Sequence, residues 1–246
     1  MTHRVALQIV AVGAFLACAG CARSRAVPRV ELEVVPPNEV LDFNVLYGQN
    51  CAGCHGVEGK GGAATALANP VFLAIADDAA IRRTAANGVP DTPMPAFAQS
   101  AGGMLTEKQI DAIVSGIRSW AEPNVVGDQT PPTYTAPIPG DPQRGADAYG
   151  TYCSSCHGTN GRGGPKASSI VDGSYLALVS DQQLRTIVIA GWFELGSPDW
   201  RGDVAGRPMS AQEVSDVVAW LSSQRPKFPG RPYPTASMNP AYGGLR

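Results

Sequence analysis

The 246-residue sequence has little net charge, few histidines and no long apolar run. Lysine and arginine together number 19 and aspartate and glutamate 21, which gives a formal net charge of −2. This balance provides no basic patch that could follow a phosphate backbone, so we expect no nucleic-acid partner. Only three histidines are present, and one of them, His3, lies before the N-terminal apolar stretch. The positions of the other two therefore bear on which metal or cofactor site the chain could form.

The N-terminal apolar stretch is too short for a comfortable transmembrane helix. An uncharged segment from Val5 to Ala17 follows Arg4 and ends in small residues around Cys18 and Cys21. This order is typical of a secretory signal. We therefore predict a leader over residues 1–21 and place the rest of the chain outside the cytoplasm.

The end of this leader resembles a bacterial lipoprotein processing site, in which a cysteine after Ala-Gly becomes the acylated N-terminus. Cys21 follows Ala19 and Gly20, whereas Cys18 stands where such sites usually have leucine. The resemblance implies that Cys21 is lipidated and anchors the protein at the periplasmic face of a bacterial membrane. An ordinary cleaved leader and an uncleaved anchor are the alternatives, and the sequence does not decide which of the two cysteines is processed.

The six cysteines form three close pairs, and two of the pairs are each followed at once by histidine. The motifs are Cys51-Ala52-Gly53-Cys54-His55 and Cys153-Ser154-Ser155-Cys156-His157. Two thiols one helical turn apart can each add to a vinyl group on one porphyrin edge, and the adjacent histidine can reach the iron. The doubled motif predicts two covalent haem c groups, attached through these four cysteines, with His55 and His157 as axial iron ligands.

Other sites also use cysteine pairs. A four-cysteine zinc or iron site, a redox-active dithiol and a disulfide framework are the alternatives. A four-cysteine site requires the two pairs to converge, although each pair begins its own repeat unit. None of these alternatives explains why histidine follows both pairs, or why no other histidine occurs after the leader.

The two motifs belong to two copies of one unit. Tyr47 and the glycines that follow the first motif recur 102 residues further along the chain, and two single-residue insertions extend the match to a final helix in each copy. Each final helix begins with a capping box, Thr106-x-x-Gln109 or Ser210-x-x-Glu213, and carries an apolar stripe at helical spacing. Neither copy has a convincing alternating strand pattern. We therefore predict an all-α fold.

Proline-rich segments separate and flank the two copies. Their composition favours extended, polyproline-like backbone, which predicts a semi-rigid spacer between the copies. The predicted segments are a leader over 1–21, a proline-containing tether over 22–41, a first domain over 42–121, a proline-rich linker over 122–140, a second domain over 141–224 and a proline-rich tail over 225–246.

Each copy resembles a class I cytochrome c domain. The resemblance rests on Tyr47-x-x-x-Cys51-x-x-Cys54-His55-Gly56, on Met94-Pro95-Ala96-Phe97 and on the capped terminal helix, with a second such motif from Gly145. It implies two tandem three-to-four-helix domains, each around one haem. It also implies that Met94 is the second axial ligand of the first haem. Histidine–methionine ligation raises the reduction potential and suits electron transfer rather than catalysis.

The second copy departs from this pattern at the methionine. Ser197-Pro198-Asp199-Trp200 aligns with the four residues that begin at Met94, so serine occupies the usual ligand position. Met209, just before the cap Ser210, is an uncertain sixth ligand of the second haem, because an apolar residue at this point also packs against the helix. Met238 in the tail is a more remote candidate.

The resemblance and the leader together predict a membrane-tethered dihaem cytochrome c that carries single electrons and is not itself an enzyme. Expected partners are a quinol:cytochrome c reductase, a terminal oxidase or a periplasmic dehydrogenase, with the protein acting as a subunit or a docked carrier. The alternative is a haem enzyme of the peroxidase type, or a gas-binding protein, acting at the second haem. For that role, however, the chain has no free histidine after the leader that could serve in acid–base catalysis.

Overall fold

The computed structural model describes residues 34–202, 204 and 206–226. The predictions for the leader, for most of the tether and tail, and for Cys18, Cys21 and Met238 lie outside these residues. From Pro37 onward the described chain belongs to one compact unit. A search of the described helices found none with the length and apolar character that a membrane crossing requires.

Ten α-helices are the main regular elements of the described residues, which contain two isolated β-bridges but no strand. The first copy consists of α1 (Phe43–Asn50), α2 (Ala52–His55), α3 (Pro70–Ile75), α4 (Asp78–Asn87) and α5 (Glu107–Arg118). The second consists of α6 (Pro142–Tyr152), α7 (Ser154–His157), α8 (Gly173–Leu178), α9 (Asp181–Ala190) and α10 (Ala211–Ser223). Short 3₁₀ turns lie at Pro37–Glu39, Val57–Gly59, Gln99–Ala101, Thr159–Gly161 and Phe193–Leu195. The predicted all-α fold of two tandem copies is confirmed.

Side chains cap the start of every helix longer than one turn. The capping residues are Asp42, Asn69, Asp77, Thr106, Asp141, Asp172, Ser180 and Ser210. The two predicted capping boxes, on α5 and α10, are both formed. Each cap satisfies backbone amides that have no partner within the helix, and such a cap is worth about 1 kcal/mol. The sequence therefore sets the start of each helix locally.

The terminal helices bury the predicted apolar stripes. On α5 the buried apolar residues are Ile110, Ile113, Val114 and Ile117, and on α10 they include Val214, Val217, Val218 and Leu221. Helix α5 packs on α1 and α4, and α10 packs on α6 and α9. In both copies the stripe faces the helix that leads into the Cys-x-x-Cys-His motif, so the core also positions that motif.

The segment between the two copies is packed against protein, in contrast to the spacer that its proline content predicts. Pro132 is buried. The Tyr134 ring lies edge-on to Phe72 of the first copy, with 6.4 Å between ring centroids. Gln182 of the second copy donates to the Tyr134 carbonyl at 2.8 Å. This part of the segment therefore contacts both copies.

A buried arginine explains this packing. Arg82 in the first copy pairs with Glu107 and Asp111, but its counterpart Arg185 has no carboxylate at the matching positions. Arg185 is 2% exposed, and it donates to Ser215 Oγ and to linker carbonyls at 2.9–3.1 Å. A buried cation needs acceptors, and the linker backbone supplies them here.

The two copies also contact each other directly. Asn69 caps α3 through Oδ1, while its Nδ2 donates to the carbonyls of Ala190 at 3.1 Å and Gly191 at 3.3 Å. The Gly61 N–H donates to the Glu194 carboxylate at 2.9 Å. Helix α3 packs on α9. The copies are therefore held together by backbone-directed hydrogen bonds and by helix packing.

Candidate functional site

Each Cys-x-x-Cys-His motif lies on one helical turn that follows the first helix of its copy. The Cys51 N–H closes α1 by donating to the Tyr47 carbonyl at 2.8 Å, and the His55 N–H donates to the Cys51 carbonyl at 3.0 Å. The second motif repeats this arrangement, with 2.9 Å for Cys153 and 3.0 Å for His157. The two thiols of each motif are thus one turn apart, which is the spacing that thioether attachment to a porphyrin needs.

The His55 ring is oriented for metal ligation. Its Nδ1 lies 2.7 Å from the Thr65 carbonyl, and because a carbonyl only accepts, Nδ1 carries the proton. Nε2 therefore presents a lone pair, yet it is buried and has no hydrogen-bond partner. Burial lowers the pKa of His55, although the hydrogen bond to Thr65 opposes this shift. A neutral imidazole with an unpartnered buried nitrogen fits an iron ligand, because an orphaned polar atom would otherwise be costly.

His157 has the same backbone partner but a more open setting. Its Nδ1 lies 2.9 Å from the Ser168 carbonyl. His55 is 9% exposed, whereas His157 belongs to the partly exposed residues. Thr65 and Ser168 are equivalent in the two copies, so both rings are oriented by one loop position. Sequence analysis missed this position because a carbonyl acceptor leaves no side-chain signal, although hydroxyl residues recur there.

Turns that the two copies share around the motif explain the repeated glycines and tyrosines. A Cβ on Gly62 would lie 2.1 Å from the Cys54 carbonyl oxygen, and one on Gly164 would lie 2.6 Å from the Cys156 carbonyl oxygen. The loop therefore passes too close beneath the motif for any side chain. The Tyr47 hydroxyl donates to the Gly56 carbonyl at 2.9 Å, which fixes the start of the loop.

Met94 is half-buried on the loop between α4 and α5. Its carbonyl accepts from the Val89 N–H at 3.0 Å, and a Cβ on Gly88 would lie 2.6 Å from the same oxygen. Met104, the other methionine before α5, is 81% exposed. Leu105, the next residue, is buried and packs there.

Ser197 occupies the corresponding place in the second copy. Its carbonyl accepts from the Trp192 N–H at 3.1 Å, and a Cβ on Gly191 would lie 2.7 Å from that oxygen. These contacts match those of the Met94 carbonyl. The backbone therefore places Ser197 at the position in the second copy that Met94 has in the first.

Met209 corresponds to Leu105 rather than to Met94. The Met209 N–H donates to the Trp200 carbonyl at 2.8 Å, as the Leu105 N–H donates to the Phe97 carbonyl at 2.8 Å. Met209 is 7% exposed and belongs to the hydrophobic core. It has the contacts of the apolar residue that precedes the helix cap.

The geometry does not favour the alternatives to haem. Among the described residues, no three histidine, cysteine or acidic side chains come together as a metal site, so the motifs do not converge on one ion. The four motif cysteines form no disulfide. Burial, with a contribution from the second cysteine of each pair, raises the pKa of the Cys51 and Cys153 thiols to about 11. Redox-active dithiols have lowered pKa values instead.

Comparison with known proteins matches both copies to one family and the chain to curated cytochrome c subunits. The family described as cytochrome c oxidase, cbb3-type, subunit III matches residues 38–115 and again residues 140–221. The chain is 26% identical over 181 residues to the cytochrome bc1 complex cytochrome c subunits of Mycobacterium bovis and Mycobacterium tuberculosis. The alignment covers 72% of this chain but only 60% of the length of these curated relatives.

The solved structures that are similar to this chain include the reducing HAO-like protein complex of Kuenenia stuttgartiensis, at 22% sequence identity and a TM-score of 0.42. The similarity covers 78% of this chain and 100% of that chain.

Proposed function

The chain belongs to the family of cytochrome c oxidase, cbb3-type, subunit III, and from that membership we propose that it is a dihaem cytochrome c that transfers single electrons outside the cytoplasm. The observation that carries this proposal is the pair of Cys-x-x-Cys-His turns, each with its histidine Nδ1 held by a backbone carbonyl. A bound haem iron supplies one-electron exchange between its ferrous and ferric states.

The residues of the chain fit this cofactor in named roles. Cys51 and Cys54 would attach the first haem, and His55 would bind its iron through Nε2, the buried atom that lacks a protein partner. Met94, on the loop before α5, is the proposed second ligand. Cys153, Cys156 and His157 would hold the second haem in the same way.

Covalent haem stoichiometry tests the proposal directly. We expect the purified full-length protein to give two haems per chain in a pyridine haemochromogen assay. The double variant C51A/C54A and its matched control C153A/C156A should each retain one haem, because each motif attaches its own group. A native protein without covalent haem, or with a single haem lost in both variants, would contradict the two-haem assignment.

We further propose that the protein serves a respiratory complex at the membrane. The relatives described as cytochrome c subunits of the cytochrome bc1 complex support a quinol-oxidising partner. A periplasmic dehydrogenase is the alternative donor, and an oxidase or another acceptor is then the partner that receives the electrons. Co-purification of the tagged protein with a quinol-oxidising complex supports a subunit role, whereas recovery of the tagged protein alone would contradict stable assembly.

The anchor is proposed from the lipoprotein-like segment that ends at Cys21. Acylation of Cys21 would keep the domains at the membrane surface and raise their effective concentration near membrane partners. The variant C21S should lose labelling by radioactive palmitate, whereas C18S should keep it. The opposite pattern would assign the processed cysteine to position 18, and labelling of neither protein would contradict acylation.

A further inference from the structure

We propose that the second haem binds a small neutral diatomic ligand, of the class of carbon monoxide and nitric oxide, at its iron. This inference rests on the proposed function, because it requires haem on both motifs. It starts from the difference between two otherwise equivalent loops, in which Ser197 takes the place of Met94.

Serine at this position does not replace methionine as a ligand. The loops hold the two residues with the same backbone contacts, so the side chains start from equivalent places. The methionine sulfur is one bond, roughly 1.5 Å, further from Cα than the serine oxygen. A neutral hydroxyl is also a weaker ligand for haem iron than the thioether found in cytochromes c. Ser197 is therefore both short and chemically poor for this role.

Met209 packs in the hydrophobic core and is not placed as an iron ligand. Its backbone contact to Trp200 matches that of Leu105 to Phe97, and its side chain lies in the core before α10. A move of the Met209 side chain towards the iron would leave a cavity in the core. Losing a buried side chain of this size from a core costs about 2–5 kcal/mol.

The carboxylates that the structure describes in the Ser197 loop already have partners. Glu194 accepts from the Trp192 indole N–H at 3.1 Å and from the Gly61 N–H of the first copy. Asp199 is paired with Arg201. These hydrogen bonds would be lost if either group turned to the iron, and each is charge-assisted. Apart from Met209, which is buried in the core, the described residues of the loop therefore include neither a thioether nor an unpaired carboxylate.

The class of ligand follows from the chemistry of such a position. Neutral diatomic molecules bind ferrous haem without a counter-charge or a proton donor. Peroxide cleavage needs an acid–base group, and the only histidines after the leader are His55 and His157. We therefore expect ligand binding at the second iron without peroxidase turnover.

The test is a titration of the reduced full-length protein with carbon monoxide, together with the Fe(III)–methionine charge-transfer band of the oxidised protein. We expect one carbon monoxide per two haems and a band with the intensity of one methionine-ligated haem. The variant S197M should gain a second methionine band and lose carbon monoxide binding. Haem content is measured in parallel, so that failure of haem attachment is distinguished from failure of this inference.

Two matched variants separate the possible sources of a protein ligand. M209L and M238L should each leave the carbon monoxide stoichiometry and the band unchanged. The proposal would be overturned if the band of the native protein had the intensity of two methionine-ligated haems. If M209L or M238L then reduced that intensity, the methionine replaced would be identified as the ligand. A two-haem protein that binds no carbon monoxide would overturn it as well.

Discussion

Asp216 is the one fully buried carboxylate among the described residues, at 2% exposure. It accepts from the Asp141 N–H at 2.7 Å, from Arg144 at 2.9 Å and from Gln212 at 2.8 Å. Burial alone would raise the pKa of Asp216, but these hydrogen bonds outweigh burial and hold the pKa below its ordinary value. The carboxylate thereby ties the start of α6 to α10, and a charged Asp216 stabilises the fold.

We predict that D216N lowers the free energy of unfolding at neutral pH by about 1–3 kcal/mol, because an amide has one acceptor oxygen and cannot accept the four hydrogen bonds that Asp141, Arg144 and Gln212 donate. A lowered pKa in the folded state gives stability above the unfolded-state pKa of about 4, and this stability is lost as the pH falls through the folded-state pKa. The difference in unfolding free energy between the native protein and D216N should therefore become smaller in acid. Urea unfolding at several pH values measures it.

The control for this prediction is D111N. Asp111 pairs with Arg82, but its side chain is 62% exposed, and exposed ion pairs contribute little, about 0–1 kcal/mol. An equal loss in D216N and D111N, or a D216N loss that stays constant into acid, would contradict the role of the buried carboxylate.

At the scale of helices, the two copies build one aromatic contact from different positions. In the first copy Trp120 lies edge-on to Tyr47, with 5.1 Å between ring centroids. In the second copy Trp220 stacks on Tyr149 at 4.4 Å. Trp220 aligns with Gly116, one turn before the equivalent of Trp120. Each tryptophan approaches the loop glycine after its haem motif, so a shift of one helical turn preserves the packing.

Compensation between helices makes this shift possible. Phe43 on α1 fills the space beside Gly116, and a Cβ on Gly116 would lie 2.0 Å from the Phe43 ring. The second copy has the reverse, with Gly145 in place of Phe43 beside the larger Trp220, whose Cβ would lie 2.7 Å from a Cβ on Gly145. Large and small residues have exchanged sides of the helix crossing, which conserves the packed volume.

We predict that G116A lowers the free energy of unfolding by about 1–3 kcal/mol, because the added methyl group overlaps the Phe43 ring. The matched control is G48A on α1, where an added Cβ meets nothing within 4 Å. That variant should be stabilised by about 0.5–1 kcal/mol, because alanine favours the helix. Thermal unfolding monitored by far-ultraviolet circular dichroism compares the two. Stabilisation of both G116A and G48A would contradict the proposed overlap. So would a double variant F43A/G116A whose loss of unfolding free energy equals the sum of the losses in F43A and G116A.

These helices also show how much the sequence determines. The capping boxes and apolar stripes predict α5 and α10, because both signals are local. The exchange at the α1–α5 and α6–α10 crossings is visible in the sequence only when the two copies are compared, since Gly116 alone looks like an unfavourable helix residue. The cysteines and histidines of the candidate sites follow from the motif, but the carbonyls that orient the histidines do not. Their contribution comes from backbone atoms, which every residue has.

At the scale of the whole described chain, the contact between the copies was beyond sequence prediction. The proline content predicts a spacer. That Arg185 binds this spacer is suggested only by comparison with Arg82, because the carboxylates that pair with Arg82 have no counterpart in the second copy.

Asn69 also shows a contact between the copies that its sequence context does not reveal. Its equivalent in the second copy is Asp172, which also caps a helix, at the start of α8. Both residues serve as caps, but the Asn69 amide can also donate to the other copy, which a carboxylate cannot do.

We predict that N69D keeps the cap of α3 and loses the contact between the copies, because its carboxylate would face the carbonyls of Ala190 and Gly191. The carboxylate oxygen that faces these carbonyls would be buried without a donor, which costs several kcal/mol. In native protein the two copies should unfold in one transition, and in N69D the less stable copy should unfold first. Denaturation followed separately by tryptophan fluorescence and by haem absorbance measures this. D172N, which exchanges one capping residue for another at an exposed site, should keep the single transition. Coincident transitions in N69D would contradict the coupling and indicate that packing of α3 on α9 holds the copies together without the Asn69 amide.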